Sequence, residues 1–337
     1  MVDSGQAHFD VFSTCPPSSA YGHDYSTRVA EVARWSERAG CRGILIYTDH
    51  SLLDPWLVAQ LIIERTQSIR PLVAVQPLQM HPYTAAKMVA SLGALYGRGV
   101  LLNMVSGGFR NDLSALDDRT EHDRRYDRLL EYVTIVKGLL AGGSPVTLRG
   151  DFYRVENLRL TPAPSPELMP DVFVSGSSEA GAETARAIGA VAIRYPRPAT
   201  AETPTEDWPE RTGIRTGIIA RESDEDAWEV ALRRFPADRR GQLTHQLAMK
   251  VSDSVWHRQL SEMAGAEKTD GPYWLFPFEN YKTMCPYLVG SYQRVGEELA
   301  RYHRLGVRTL ILDVPPDEEE LWHTRRALEP CLEEVAS

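Results

Sequence analysis

Only four cysteines occur in 337 residues, and no two of them form a Cys-x-x-Cys pair. Cys15, Cys41, Cys285 and Cys331 are scattered, which suits a reducing cytoplasm better than a disulfide-stapled scaffold. The chain also lacks a His-Glu-x-x-His motif and any Cys/His cluster, so no metal site is expected. No apolar run approaches the ~20 residues that a membrane-spanning helix requires. The first dozen residues lack a basic segment followed by an apolar one, so no secretory signal is expected. Positive charge is in short supply: 37 Lys+Arg against 46 Asp+Glu leave a formal net charge of −9. That excludes a global basic field for holding nucleic acid or an anionic membrane. No Gly-x-Gly-x-x-Gly follows the first apolar segment, which argues against a dinucleotide-binding Rossmann domain.

What the chain does contain is a regular alternation. Short segments that are apolar on both faces occur at Phe9–Phe12, Gly43–Tyr47, Leu72–Val75, Gly99–Met104, Val172–Val174, Ala190–Ile193, Ile214–Ala220 and Thr309–Leu312. Segments with helical spacing lie between most of them, at Tyr25–Ala39, Pro55–Thr66, Thr84–Tyr96, Asp123–Leu140, Ala180–Ile188, Asp224–Arg234 and Gln293–Leu305, and Glu318–Glu334 closes the chain. Strands apolar on both faces belong to a parallel sheet covered on both sides. About eight such units with no clear linker predict one domain over residues 1–337, an α/β fold of the (β/α)8 TIM-barrel type. A hairpin is expected at Val146–Val155, with Gly150 at its turn, and a polar loop at Pro196–Pro209. Residues 236–286 carry Trp256, Trp274, Phe276, Phe278 and Tyr281 without a barrel period. They read as an insertion near the seventh and eighth units, either a lid or an extra packing layer.

Active sites of such barrels lie at the carboxyl ends of the strands. Those ends carry Ser13–Cys15, Thr48–His50, Gln76, Asn103–Gly108, Ser175–Ser178, Arg194–Tyr195, Glu222–Ser223 and Val314–Pro316. Two segments say more than strand-end polarity. Phe173–Gly181, FVSGSSEAG, places a Ser-Gly-Ser-Ser turn before a helix. Helix-terminal N–H groups beside serine hydroxyls make an anion site for a phosphate monoester, or an ordinary serine cap. Glu121–Tyr126, EHDRRY, opens the long helix, with His122 and Tyr126 four apart on one face and Asp123 available as a cap.

At these residues the sequence resembles the bacterial luciferase-like flavin monooxygenases, most closely the alkanesulfonate monooxygenase branch. The matching segments are LLNMVSGG, HDRRYDRLLEYVTIVKGLL, FYRVENLRL, FVSGSSEAG, IRTGIIARESDEDAW and LVGSYQRVGEELARYHRLGVRTLIL. The resemblance implies an FMN site. Asp49, Gln76 and Asn103 would lie near the isoalloxazine ring, with Met104 and Val105 against its flat surface. His122 and Tyr126 would meet the ribityl phosphate or ring edge, and Gly176, Ser177 and Ser178 the phosphate. It further implies a two-component enzyme that takes reduced FMN from a separate flavin reductase, uses oxygen, and forms a homodimer or higher homo-oligomer. Cys15, His50, His81, Tyr195 and Arg215 are the candidates for proton handling and substrate orientation, with Arg194 an alternative to Arg215.

The departures from that branch are specific. The segment where it carries a cysteine reads Ser51-Leu52-Leu53-Asp54-Pro55-Trp56, and Gly217 stands where it has a histidine two residues after Arg215. The flavin half of the pattern is kept and the sulfonate-oxidising half is not, so a different small organic substrate is expected. A deazaflavin-dependent oxidoreductase on the same barrel and a non-catalytic flavin-binding barrel are the competing readings.

Overall fold

The architecture comes from a computed structural model, which describes residues 8–107, 110–201, 209, 211–251, 255–263 and 271–336. Eight parallel strands close into a barrel. They are β1 (Asp10–Thr14), β2 (Gly43–Ile46), β3 (Arg70–Val75), β4 (Leu101–Val105), β7 (Val172–Ser175), β8 (Val191–Arg194), β9 (Thr212–Arg221) and β12 (Val307–Leu312), and β12 pairs back onto β1. The hairpin β5 (Val146–Arg149) and β6 (Arg154–Leu158) is antiparallel and stands apart from the barrel.

The helices form the outer layer: α1 (Tyr25–Arg38), α2 (Pro55–Arg65), α3 (Pro82–Tyr96), the short α4 (Arg110–Ala115), α5 (His122–Ala141), α6 (Glu179–Ala187), α7 (Asp224–Arg234), α11 (Tyr292–Arg304) and α12 (Glu318–Ala336). Their ends follow local chemistry. Asp54 accepts hydrogen bonds from Trp56 N and Leu57 N and caps α2, with Pro55 in the first turn, and Gly97 in the left-handed region stops α3.

Alternation within each strand divides the core in two. Phe12, Leu45, Leu72, Leu101, Phe173, Val191, Ile193 and Ile311 fill the barrel interior. Their neighbours, such as Ile44, Val73, Leu102 and Val174, point outward against the helices. Phe12 and Phe173 meet edge to face across the interior with centroids 5.3 Å apart, so the barrel is packed shut below the mouth.

The 236–286 stretch contains α8 (Arg239–Val251), α9 (Val255–Met263), β10 (Tyr273–Trp274) and α10 (Phe276–Glu279). A further parallel strand, β11 (Tyr287–Ser291), follows it, and the periodicity had not singled it out. The reason lies in β9, which is twice the usual length. Thr212–Thr216 of β9 pairs with β12 inside the barrel, while Gly217–Arg221 runs on and pairs with β11. A second apolar strand so close to the start of α11 reads in sequence as part of that helix's approach. Gly108 and residues 202–208 of the polar loop lie outside the described residues, as does the side chain of Trp256. No helix among the described residues is long and apolar enough to cross a membrane.

Candidate active site

A cavity of about 220 Å³ opens at the carboxyl ends of the barrel strands. Its walls show how a strand's two-residue period builds a pocket. Leu45 and Tyr47, Ala74 and Gln76, Asn103 and Val105, and Ile193 and Tyr195 are successive inward residues of four strands. Ser175, Arg215 and Ile311 come from three more. The same rule corrects the expected placement of Met104. Lying between Asn103 and Val105, it points to the opposite side and packs in the helical layer.

On one side of the cavity the groups are polar and mutually fixed. Ser175 Oγ donates to Asn103 Oδ1 at 2.8 Å, which leaves the Asn103 amide N–H groups as the donors of that buried side chain. Gly107, at φ +98°, turns the chain after β4. A Cβ there would lie 2.8 Å from Leu113 and 3.1 Å from the Gln76 amide nitrogen. Arg125, buried on α5, donates to Gly107 O at 3.0 Å and pins that turn. A buried strand thus ends on a polar, glycine-marked tip because the tip is a cavity wall held from outside.

Next to it, Tyr126 is 4% exposed and reaches the turn between β7 and α6. A Cβ on Gly176 would fall 2.4 Å from the Tyr126 hydroxyl oxygen, and one on Gly181 would fall 3.2 Å from it. Only glycine lets this backbone approach the phenol. Ser178 caps α6 through Gly181 N at 3.2 Å, and Ser177 Oγ accepts weakly from Tyr195 N at 3.5 Å. His122 packs edge to face on Tyr126, with centroids 5.4 Å apart, and its Nδ1 lies 2.7 Å from Asp123 Oδ1. Asp123 is therefore not the cap of α5. Glu121 holds that position and makes no side-chain capping bond.

The opposite side carries charge and aromatic surface. Arg215 lines the cavity, donates to the Tyr195 hydroxyl at 3.4 Å, and stacks over the Tyr47 ring at 5.7 Å. Its Nε is buried with no hydrogen-bond partner among the described residues. Burial opposes the Arg215 charge, but Tyr195, Cys285 and Asp313 outweigh it and raise the pKa above the ordinary arginine value. Burial raises the Tyr195 phenol as well, so the pair stays guanidinium and neutral phenol at physiological pH.

Gly217 continues the inward row of Arg215. A Cβ there would lie 2.3 Å from the Tyr287 ring of β11, and the Tyr287 hydroxyl donates to Asp313 Oδ2 at 2.9 Å. No side chain fits at 217 while that ring is in place. Above the cavity, Val255 of α9 and Met284 complete the lining.

Ten of the thirteen residues nominated from the sequence line this one cavity: Asp49, Gln76, Asn103, His122, Tyr126, Gly176, Ser177, Ser178, Tyr195 and Arg215. Asp49 does so with one carboxylate oxygen tied at 2.6 Å to both the backbone and hydroxyl of Ser51. The other three stand apart. Cys15 is 2% exposed behind Tyr47, beside the Tyr25 hydroxyl at 3.9 Å, and burial pushes its thiol up to about 12. That thiol is a poor nucleophile or base at neutral pH. His50 lies at the rim, 3.9 Å from the cavity residue Asp112. His81 caps α3, its Nδ1 accepting from Tyr83 N at 3.1 Å.

Tyr47, Asp112, Leu113, Val255 and Met284 were not nominated. For Tyr47 the signal was present, since it follows Leu45 by two. The others come from loops and helices whose register a sequence does not fix. Among the described residues no group of three His, Cys, Asp or Glu side chains could hold a metal ion.

The donor set fits a flavin. The cavity lining combines Asn103, Val105 and Tyr47 with Ser177, Ser178 and Tyr126 at the amino-terminal end of α6. Known proteins agree with this chemistry. The luciferase-like monooxygenase family model matches residues 8–309. The 4-(gamma-L-glutamylamino)butanoyl-[BtrI acyl-carrier protein] monooxygenase BtrO of Niallia circulans is 36% identical over 314 residues, covering 91% of this chain and 92% of that protein. The structure of riboflavin lyase RcaE with modified FMN and riboflavin superposes with a TM-score of 0.74 at 14% identity, over 98% of this chain and 92% of that one. An F420-dependent secondary alcohol dehydrogenase in complex with an F420-acetone adduct gives a TM-score of 0.64 at 14% identity, over 96% and 99%. At such identities the two structures bear on the fold alone. The chain is an oxidoreductase, a flavin-dependent monooxygenase that acts with oxygen on a small organic substrate. It belongs to the luciferase-like monooxygenase family.

Proposed function

We propose that the enzyme uses FMN, receives it reduced from a separate flavin reductase, and oxygenates an acyl group presented on a carrier protein. The observation that carries the cofactor reading is the meeting of Tyr126 with the Gly176-Ser177-Ser178 turn at the start of α6. A phosphate monoester there would take hydrogen bonds from the serine and tyrosine hydroxyls and from the free helix N–H groups. Asn103, held by Ser175, would donate to the polar edge of the ring, and Gln76 lies close by.

When bound, reduced FMN supplies the two electrons that oxygen activation requires. The protein's part is to orient and to exclude water. Val105, Tyr47, Leu113 and Met284 make the apolar walls. Arg215, beside neutral Tyr195, keeps a positive charge and hydrogen-bond donors at the floor, where substrate oxygen atoms or developing negative charge would be stabilised. Tyr195, a neutral phenol whose oxygen accepts from Arg215, can turn its own O–H toward the substrate as a donor.

The carrier-bound acyl group comes from the activity of the Niallia circulans relative. A simple alkanesulfonate is disfavoured, and neither the family model nor the Niallia circulans relative singles out the alkanesulfonate branch expected from the sequence. The cysteine of that branch is missing, and the Tyr287 ring fills the place its histidine would need at position 217. The fold shared with an F420-dependent enzyme supports a deazaflavin as the second reading. A homodimer or higher homo-oligomer is part of the proposal by family likeness.

Rapid mixing of the reduced-FMN complex with oxygenated buffer tests the reading. A transient absorbance distinct from oxidised and reduced flavin, discharged faster when the acyl substrate is present, is the expected result. Immediate reoxidation that no substrate alters, or tight binding of F420 in preference to FMN, would overturn it.

A further inference from the structure

Two helices of the insertion are basic in composition although the chain as a whole is acidic. The sequences of α8 and α9 hold Arg239, Arg240, Lys250 and Arg258 against one acid, Glu262, in a chain whose formal net charge is −9. Asp238, just before α8, is already engaged by Lys282 at 2.5 Å. On α8, His245 points into the protein. It is 7% exposed, meets Phe278 edge to face at 4.7 Å, and stacks on Tyr281 at 6.0 Å.

Residues two before and two after an inward helical residue lie roughly opposite it. Those residues are Leu243 and Leu247, 55% and 63% exposed, and Arg240 falls on the same side three residues before Leu243. Helix α8 therefore shows solvent two leucines with arginines at its amino-terminal end. The insertion that carries this face borders the cavity through other residues. Val255 and Met284 line the cavity itself, and Tyr281, on which His245 stacks, has its phenol raised first by burial and then by the carboxylate of the cavity residue Asp49.

We propose that this face of α8, Arg239, Arg240, Leu243 and Leu247, is the docking surface for an acidic acyl-carrier protein. It rests on the reading that the substrate arrives on such a carrier. An apolar centre rimmed by charge is the composition of a transient protein interface. A basic patch on an otherwise acidic enzyme attracts an acidic partner while the remaining surface repels it, which sets where the partner lands. Docked there, the carrier holds its thioester arm beside the opening that Val255 and Met284 border.

The test compares the 4-(γ-L-glutamylamino)butanoyl group on the BtrI carrier protein with the same group on free pantetheine. Two variants of the full chain are used, R239E/R240E and L243D/L247D. The expected result is a KM for the carrier-bound substrate raised about tenfold or more in each variant, with kcat and the pantetheine kinetics unchanged. Added salt should raise the wild-type KM and affect R239E/R240E less. If both variants keep the wild-type KM for the carrier-bound substrate, the surface is wrong although the substrate is right. If wild-type enzyme oxygenates neither substrate, the carrier-bound reading fails and takes the surface with it. If L243D/L247D instead breaks an oligomer in sedimentation, the face joins two copies of this chain and the proposal falls.

Discussion

The two sides of the cavity were built in different ways. The arc from β4 to α6 is made of local pieces: a glycine turn after Asn103, one helical turn from His122 to Tyr126, and a Gly-Ser-Ser turn that caps its own helix. The arc from β8 across β9 to the insertion has no local motif. Arg215 and Tyr195 sit on different strands, and Tyr47, over which Arg215 stacks, comes from the far side of the barrel. Val255 and Met284 reach the cavity from beyond it in sequence. The first arc suits a ligand common to a family, a phosphorylated cofactor. The second suits what varies, the substrate.

If that division is right, the largest single effect falls on the second arc without disturbing the first. Arg215→Ala should lower kcat/KM by about 10²-fold or more, in the range seen when one charge-stabilising donor is removed. Its Kd for FMN, followed by fluorescence quenching, should stay within about twofold. A comparable loss of FMN affinity would erase the distinction between the arcs.

The converse experiment is Gly176→Val. With a Cβ placed 2.4 Å from the Tyr126 hydroxyl oxygen, something must move. FMN affinity should fall by about tenfold or more, and the melting temperature should drop as expected for an overpacked site costing about 1–3 kcal/mol. Unchanged FMN binding would show that the turn does not hold the phosphate.

A smaller effect comes from the insertion. His257, 1% exposed on α9, has its pKa lowered to about 4, by burial first and by His245 second. In the unfolded chain the imidazole titrates near 6.5. Between those values the unfolded state binds a proton that the folded state refuses. Stability is therefore complete above about pH 6.5 and is lost as pH falls toward 4. Melting temperatures measured across that window should fall with pH, and the slope should flatten in His257→Phe. An identical slope in the variant would remove this histidine from the account.

The smallest effect is expected at Cys15. It is buried behind Tyr47, with its thiol protonated at neutral pH, so Cys15→Ala should change kcat by no more than about twofold. A large loss of turnover, with unchanged stability, would bring the first strand into the chemistry.

His81 and Cys15 show where strand-end reasoning misleads. Both follow strands at the correct end of the barrel, yet one spends its ring nitrogen on a helix N-terminus and the other faces the helical layer. Position along a strand narrows the choice of residue. The side on which the side chain emerges decides it, as the inward Asn103 and outward Met104 demonstrate. Tyr287 was illegible for another reason. Its strand exists only because β9 outruns the barrel and leaves a free edge for it.

The order of the eight barrel strands and their helices, the closed barrel and the local turns that line the cavity were written in the sequence, because each depends on periodicity, caps and glycines within a few residues. Which three of the nominated residues stand away from the cavity, why no side chain fits at position 217, and how Arg215 comes to lie between Tyr47 and Tyr195 were decided by tertiary structure. Those features arise where strands distant in the chain are brought side by side, and contact between distant segments leaves no local period to read.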